Sequence, residues 1–430
     1  MQEDFLHYVW QQQYFDKASL RTQDGEQLTV LRPGFRHQDA GPDFPNARIR
    51  IGEVEWNGAV EIHLRASDWH RHQHHLDRRY DQVILHVVHT ADEPVRRTDG
   101  TLIPTLELGP RLGPELLHTY QALLAAPPAT LPCAGLLPQV PVITRLSMVE
   151  RALLERAERK AATVLTLHEQ LLGDWEATTW HALAAGFGFQ KNTEPLTRLA
   201  KALSLSVLRR HRHQLLQAEA LLLGQAGFLT DIDASDDHTA ALVREYSFLR
   251  HKYELAETAL QAHEWNFLRL RPANFPTARL VQLAALLHAR PTLFAALLAA
   301  ADVPTLEAFF RVPLADYWHA HNRPGRPGKT TELGRDSVHL LISNVVVPLR
   351  VAYARHVGQP ELAEEAVNLL AQLPAEHNRL LAPYEALGFQ NKSAADSQGL
   401  LTLQREYCQP RRCLHCAIGN RILRQNPLVS

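Results

Sequence analysis

The chain has 430 residues, of which 45% are hydrophobic and 21% charged, and its formal net charge is −1. This is ordinary composition for a folded protein and excludes a disordered linker, while the length suffices for about two to three domains. A charge near zero excludes a general electrostatic pull toward nucleic acid or anionic membrane and leaves only two local basic patches, Arg209–His213 (RRHRH) and Arg323–Arg335 (RPGRPGKTTELGR).

The first residues, MQEDFLHYVWQQQYF, are acidic and lack the apolar run of a signal peptide. The least polar helical stretch, around Leu340–Val351, falls short of the roughly 20 residues that span a bilayer. Four cysteines are too few for a disulfide scaffold. The expectation is a cytoplasmic protein with no membrane partner.

Residues 1 to about 17 suggest an amphipathic helix with Phe5, Val9 and Tyr14 on one side. A strand follows at Gln27–Leu31, then a turn punctuated by Pro33, Gly34, Gly41, Pro42 and Pro45. Ala47–Ile51 alternates as a strand does, and Asn57-Gly58 is a hairpin signal. In Ala59–Arg65 the alternation puts Val60, Ile62 and Leu64 toward a core and Glu61, His63 and Arg65 on the other face.

Ser67 or Asp68 is suited to cap a helix running through the histidines toward Tyr80. On such a helix Asp68 and His72 stand one turn apart, as do His70 and His74, with His74 and Asp77 three residues apart. Val83–Val88 is an apolar strand interrupted by His86, and Leu102–Leu108 supplies one more.

Beyond about Gly113 strand signals give way to Leu/Ala-rich helical periodicity: Ser147–Leu172, Trp175–Ala185, Glu194–Ala202, Ala240–Ala262, Thr277–His288, Ser337–His356, Pro360–Leu373 and Leu400–Cys408. The fold class expected is therefore α+β. A small mixed sheet with helices occupies 1–126, a Pro-rich linker 127–142, and a larger all-α domain 143–430.

The chemistry concentrates between Gly41 and Val88, where Asp43, Glu61, His63, Asp68, His72, His74, Asp77 and His86 crowd into one α/β segment. Buried polar groups are costly unless each finds a partner, so this density points to a site. The order helix, three strands, helix, strand, with Gly41-Pro42-Asp43-Phe44 before one strand and Glu61-Ile62-His63 on the next, resembles the core of the PD-(D/E)XK nuclease superfamily.

That resemblance implies a restriction-endonuclease-like fold, nucleic acid as the partner, and catalytic roles for Asp43, Glu61 and His63. Asp43 and Glu61 would hold Mg²⁺ or Mn²⁺. His63 stands where the superfamily carries lysine. Asp68, His72, His74, Asp77 and His86 form a supporting shell or an alternative metal site, and imidazole with carboxylate suits Zn²⁺, Mn²⁺ or Fe²⁺. The nuclease reading requires Asp43, Glu61 and His63 to converge in one cleft. A non-catalytic nucleic-acid- or protein-binding scaffold is the alternative.

Cys408, Cys413 and Cys416 form C-x4-C-x2-C, and Cys133 or His415 can complete a four-ligand structural site for zinc or an iron–sulfur cluster. Gly325–Thr331 is not a phosphate-binding P-loop, because Arg323 replaces its first glycine and no buried strand precedes it. Three more strings, Gly188–Asn192, Arg271–Pro276 and Ser393–Gln398, place polar residues at helix starts, where they serve as caps or line a groove. Taken together, MQEDFLHYVW, GPDF, WNGAVEIH, SDW with the histidines, VILHVV, RPANFP and the terminal CLHC resemble a bacterial family of unknown function, domain of unknown function 2851. That family implies no activity.

Overall fold

The computed structural model describes residues 2–37, 40–127, 130–230, 232–233 and 236–424. The chain forms two compact units, Met1–Met148 with Leu403–Ser430, and Val149–Thr402. The division therefore differs from 1–126, 127–142 and 143–430. Two features explain the shift. Helix Val142–Gln170 starts inside the first unit, and the C-terminal segment returns to that unit, where Cys413, Leu414 and Leu423 enter the core around Phe5 and Leu123. Residues 128–129 and 425–430 of the expected divisions lie outside the described residues.

The first unit is built on a five-stranded sheet, β1 (Leu28–Arg32), β2 (Phe44–Ile51), β3 (Val54–Arg65), β4 (Val83–Thr90) and β5 (Thr105–Glu107), in that spatial order. Strands β1 to β3 run antiparallel, and β4 and β5 continue parallel to β3. A parallel step needs a crossover. Residues 66–82 supply it as one short helix, α2 (Asp68–Arg71), and two single 3₁₀ turns, His74–Leu76 and Arg78–Tyr80.

The alternation in β3 sorts its side chains as the sequence implies. Val60 and Ile62 pack with Leu85 and Val87 of β4 against Phe5 and Val9 of α1 (Glu3–Gln12) and Leu116 and Tyr120 of α3 (Pro114–Ala125). On the opposite face Ala59, Val83 and Val88 share a smaller cluster with Trp69 and Tyr80 of the crossover. Glu61, His63 and His86 are buried as well. That face is therefore covered, not solvated.

Three local expectations are corrected. The Asn57-Gly58 pair lies inside β3, because Ile51 pairs with Val54 and the two-residue turn is Gly52-Glu53, with Gly52 at φ 58°. At Gly58 a Cβ would stand 2.5 Å from Ile84 Cγ2, so this glycine serves close strand packing. The helix expected through the histidines stops after one turn, since Gln73 adopts the left-handed φ of 61°. The first helix ends at Gln12, where Gln13 takes a left-handed cap.

The second unit is helical and centred on a leucine-rich core that includes Trp180, Leu221, Leu283, Leu286 and Val346. Its helices approach closely: a Cβ on Gly224 of helix Leu215–Gln225 would stand 2.1 Å from the Tyr246 ring. The helix expected over Ala240–Ala262 ends at Lys252, followed by Glu254 at φ 54°. The basic loop at Arg323 is a hairpin of His321–Arg323 with Arg326–Pro327, and the Arg323 guanidinium sits 3.9 Å from the centre of the Phe267 ring. Arg335–Val357 is one continuous 23-residue helix, long and apolar enough to cross a bilayer, and 72% of its most apolar window is buried within the protein. It is longer than the apolar run because a π-helical turn at Ile342–Val346 joins two shorter helices.

Candidate metal centre

Strand β3 carries the centre. Its Glu61 and His63 lie on one face by alternation, and the parallel register sets Glu61 beside His86 of β4. His63 is 1% exposed and His86 fully buried. The two rings face each other, His63 Nδ1 to His86 Nε2 at 2.8 Å.

The crossover closes over this face. After Gln73 turns the chain, His72 and His74 both reach back to β3. His72 Nδ1 lies 3.1 Å from His63 Nε2, and His74 Nε2 lies 3.2 Å from Glu61 Oε1. One ring nitrogen from each of His63, His72 and His74 falls within 4.8 Å of the others, and Glu61 Oε1 is 3.7 Å from His63 Nε2. Three imidazoles thus cluster, with the Glu61 carboxyl beside two of them, His63 and His74. His72 is exposed, so the cluster opens to solvent on that side.

Asp43 stands next to this group. A bulge at Pro45-Asn46, where Asn46 has φ 58°, shifts the β2–β3 register and places Asp43 against the start of the buried part of β3. Its Oδ2 accepts the Ile62 N–H at 3.0 Å, and its own N–H donates to Glu61 Oε2 at 3.0 Å. His7 of α1 contacts the same Oδ2 at 3.0 Å. Because Arg36 donates to His7 Nδ1, the His7 proton resides on Nε2 and is given to Asp43. Glu3, one turn before His7, completes a second group whose ligand atoms lie within 4.8 Å of one another, Glu3, His7 and Asp43.

The electrostatics suit a cation. Burial, then the Asp43 charge, pushes the Glu61 carboxyl up to about 9. Burial, then the neighbouring imidazoles, holds His63 far below the usual histidine range. Burial and His74 press His86 down to about 3, and burial lowers His74 as well. Burial thus favours the uncharged forms of Glu61, His63, His74 and His86, and a cation held by these groups would favour the Glu61 carboxylate.

Of the residues expected from sequence, Asp43, Glu61, His63, His72, His74 and His86 come together. Asp68 and Asp77 do not join them. Asp68 accepts the Arg65 N–H at 3.1 Å and pairs with Arg71 at 3.0 Å, while Asp77 caps the second 3₁₀ turn through Arg79. Both were placed with the histidines on the assumption of a continuous helix. Sequence reasoning missed Glu3, His7, Trp69 and Tyr80. Trp69 packs edge-on against His63 and His74, and Tyr80 stacks on His74 at 3.7 Å. The i, i+4 spacing of Glu3 and His7 on an amphipathic helix was a readable signal.

The four cysteines line one small cavity together with Leu123, Tyr407 and Gly419. A Cβ at Gly419 would stand 2.1 Å from the Cys413 carbonyl oxygen, so only glycine lets helix Ala417–Arg424 approach so closely. Burial raises the thiols of Cys133 to about 11 and Cys413 to about 12, with Cys416 adding to both. His415 is not among the walls of this cavity.

A family model described as a protein of unknown function (DUF2851) matches residues 3–379. The chain belongs to this family. The matched span contains every residue of the DUF2851 histidine centre and Cys133, and it ends before Cys408, Cys413 and Cys416. No curated protein and no solved structure matches the chain.

Proposed function

We propose that the first unit is a metal-dependent hydrolase, with one divalent transition-metal ion held by His63, His72, His74 and Glu61. The observation that carries this reading is the convergence of three imidazole nitrogens within 4.8 Å, with Glu61 Oε1 3.2 Å from one of them. Nitrogen donors favour Zn²⁺, Mn²⁺ or Fe²⁺ over the all-oxygen coordination of Mg²⁺, so the ion belongs on the histidines more than on Asp43 and Glu61 alone. Such an ion supplies Lewis acidity and lowers the pKa of water.

The protein's own groups do the rest. His86 accepts the Nδ1 proton of His63 and so leaves His63 Nε2 free as a donor, the outer-shell role common around metal sites. Asp43, oriented by His7 and the Ile62 N–H, is the general base beside it. A phosphodiester is the substrate class we propose, because Asp43 directly before β2 and Glu61 and His63 on the neighbouring β3 resemble the placement of the acidic and basic residues in PD-(D/E)XK nucleases. The approach of Glu61 to His63 and His74, with Asp43 held beside Glu61 through its N–H, favours catalysis over a non-catalytic scaffold. At the cysteine cavity the gathering of four sulfurs supports a structural zinc ion or iron–sulfur cluster on Cys133, Cys408, Cys413 and Cys416.

The test is metal content and activity on the full chain. Protein stripped by chelator and reloaded with Zn²⁺, Mn²⁺ or Fe²⁺ is expected to retain one ion per chain at the histidines and to cleave single- or double-stranded DNA or RNA, or bis(p-nitrophenyl) phosphate. Glu61→Ala is expected to remove that activity. Absence of a retained ion, or full activity in the variant, refutes the centre. Retention of the ion without cleavage of any phosphodiester refutes the substrate class only.

A further inference from the structure

Two of the polar strings in the second unit, Gly188–Asn192 and Arg271–Pro276, wall the same cavity. Its volume is about 170 Å³, close to the roughly 150 Å³ that accepts a benzene ring in an apolar protein cavity. Phe187, Leu196, Leu270 and Leu340 supply apolar lining, and Lys191 and Arg279 are the two cations in the same wall.

Arg279 is the anomaly. It is 5% exposed, and among the described residues no carboxylate pairs with it. Its Nη1 donates to Gln282 Oε1 at 2.9 Å, and its Nη2 donates to Asn274 Oδ1 at 2.6 Å and to Ser337 Oγ at 3.2 Å. Its buried Nε has no partner. Three of five N–H groups are thus used, all on neutral acceptors. Burial lowers the guanidinium only to about 10, so it is cationic at neutral pH. A buried charge without a counter-ion is costly, and such charges are ordinarily paired. The Phe189 ring, 4.2 Å from the guanidinium, recovers part of that cost.

The surrounding backbone adds positive potential. Asn192 precedes helix Thr193–Ala202 and Pro276 opens helix Pro276–Ala289, and neither helix start is capped by a side chain. Uncapped helix N-termini attract anions. The loop that shapes the wall is held in left-handed backbone at two successive non-glycine residues, Phe189 at φ 43° and Gln190 at φ 70°. Strain of this kind persists where surrounding structure enforces it, and it clusters at ligand sites. Lys191 is exposed, and among the described residues no acid pairs with it.

We propose that this pocket binds a small organic oxyanion, a carboxylate or phosphate head on Arg279 and Lys191 with an apolar group the size of a benzene ring against Phe187, Leu196, Leu270 and Leu340. The site is separate from the histidine centre and does not depend on it.

Titration calorimetry on the full, metal-stripped chain tests it with phenyl phosphate, phenylacetate, inorganic phosphate and benzyl alcohol. Saturable binding of phenyl phosphate or phenylacetate is expected, tighter than inorganic phosphate, with no binding of benzyl alcohol. Whichever aryl anion binds tighter identifies the head group. Arg279→Gln is expected to weaken binding at least about tenfold, the scale of one lost charge-assisted hydrogen bond. Lys191→Ala, at an exposed position that cannot unfold the unit, is expected to weaken it about threefold or more. No saturable binding of either aryl anion to folded wild type overturns the proposal. So does equal binding of benzyl alcohol, or wild-type affinity in Lys191→Ala and in Arg279→Gln. If Arg279→Gln does not fold, the Lys191→Ala result decides.

Discussion

The two faces of strand β3 are buried to nearly the same degree and built on opposite principles. Val60 and Ile62 enter an apolar core with Phe5, Val9, Leu85 and Val87, where burial itself stabilises. One residue along, Glu61 and His63 are 4% and 1% exposed, yet each is surrounded by other titratable groups. Burial there costs free energy that the fold recovers only in part through hydrogen bonds. The difference teaches that one strand can bury two faces on different terms, the apolar one by transfer from water and the polar one only through a partner for each group.

That comparison is broken most severely from the apolar side. Ile62→Ala is expected to lower unfolding stability by about 2–5 kcal/mol, as a cavity in a packed core does. The surviving folded fraction should still bind one metal ion, measured by denaturant melts alongside metal analysis. Loss of the ion in this variant would mean that the two faces are not independent.

On the solvent side of the polar face the effect should appear in metal affinity instead of stability. His72 is exposed, so His72→Ala should leave the metal-free melting temperature within about 2 °C of wild type, as surface substitutions do. Its affinity for Zn²⁺ should fall more than the ~10–100-fold typical of outer-shell changes. Competition with a chromogenic chelator measures this, and unchanged affinity would remove His72 from the ligand set.

His86→Phe sharpens the same contrast. His86 is fully buried and its Nε2 partners His63 Nδ1, so an apolar ring there leaves a buried polar atom unsatisfied and should lower metal-free stability by about 1–3 kcal/mol. Affinity for Zn²⁺ should drop about 10–100-fold because His63 loses the partner that fixes its tautomer. A variant that melts well below wild type while keeping full affinity would make His86 a packing residue.

The smallest effect is expected at Asp77. Its contacts are with Arg79 on the surface, so Asp77→Asn should melt close to wild type and leave metal binding untouched. A large loss of metal in Asp77→Asn would restore the histidine helix that Gln73 interrupts.

Much of the site was legible in sequence for one reason. Side-chain alternation is a local property of a strand, so Glu61 and His63 could be assigned to one face before any neighbour was known. His86 was readable as a polar break in VILHVV. The histidines of the crossover were misread in detail, because a helix between Asp68 and Tyr80 depends on every residue keeping helical backbone, and the left-handed turn at Gln73 carries no glycine to announce it. Likewise Asn57-Gly58 carried a hairpin signal, but the turn formed at Gly52, where two residues suffice to join Ile51 to Val54.

By itself the sequence determined the α+β class, the helical second unit, the parity of β3 and the chemistry of its polar residues, all of which follow from short-range periodicity and residue type. Only the tertiary structure decided which of those residues meet. Asp43 reaches Glu61 through a bulge, His7 reaches Asp43 from a helix 36 residues earlier, and the C-terminal cysteines return to Cys133 across the whole chain. Such meetings rest on long-range packing of apolar faces, which residue order does not display and which the burial of surface resolves only once every element has found its neighbour.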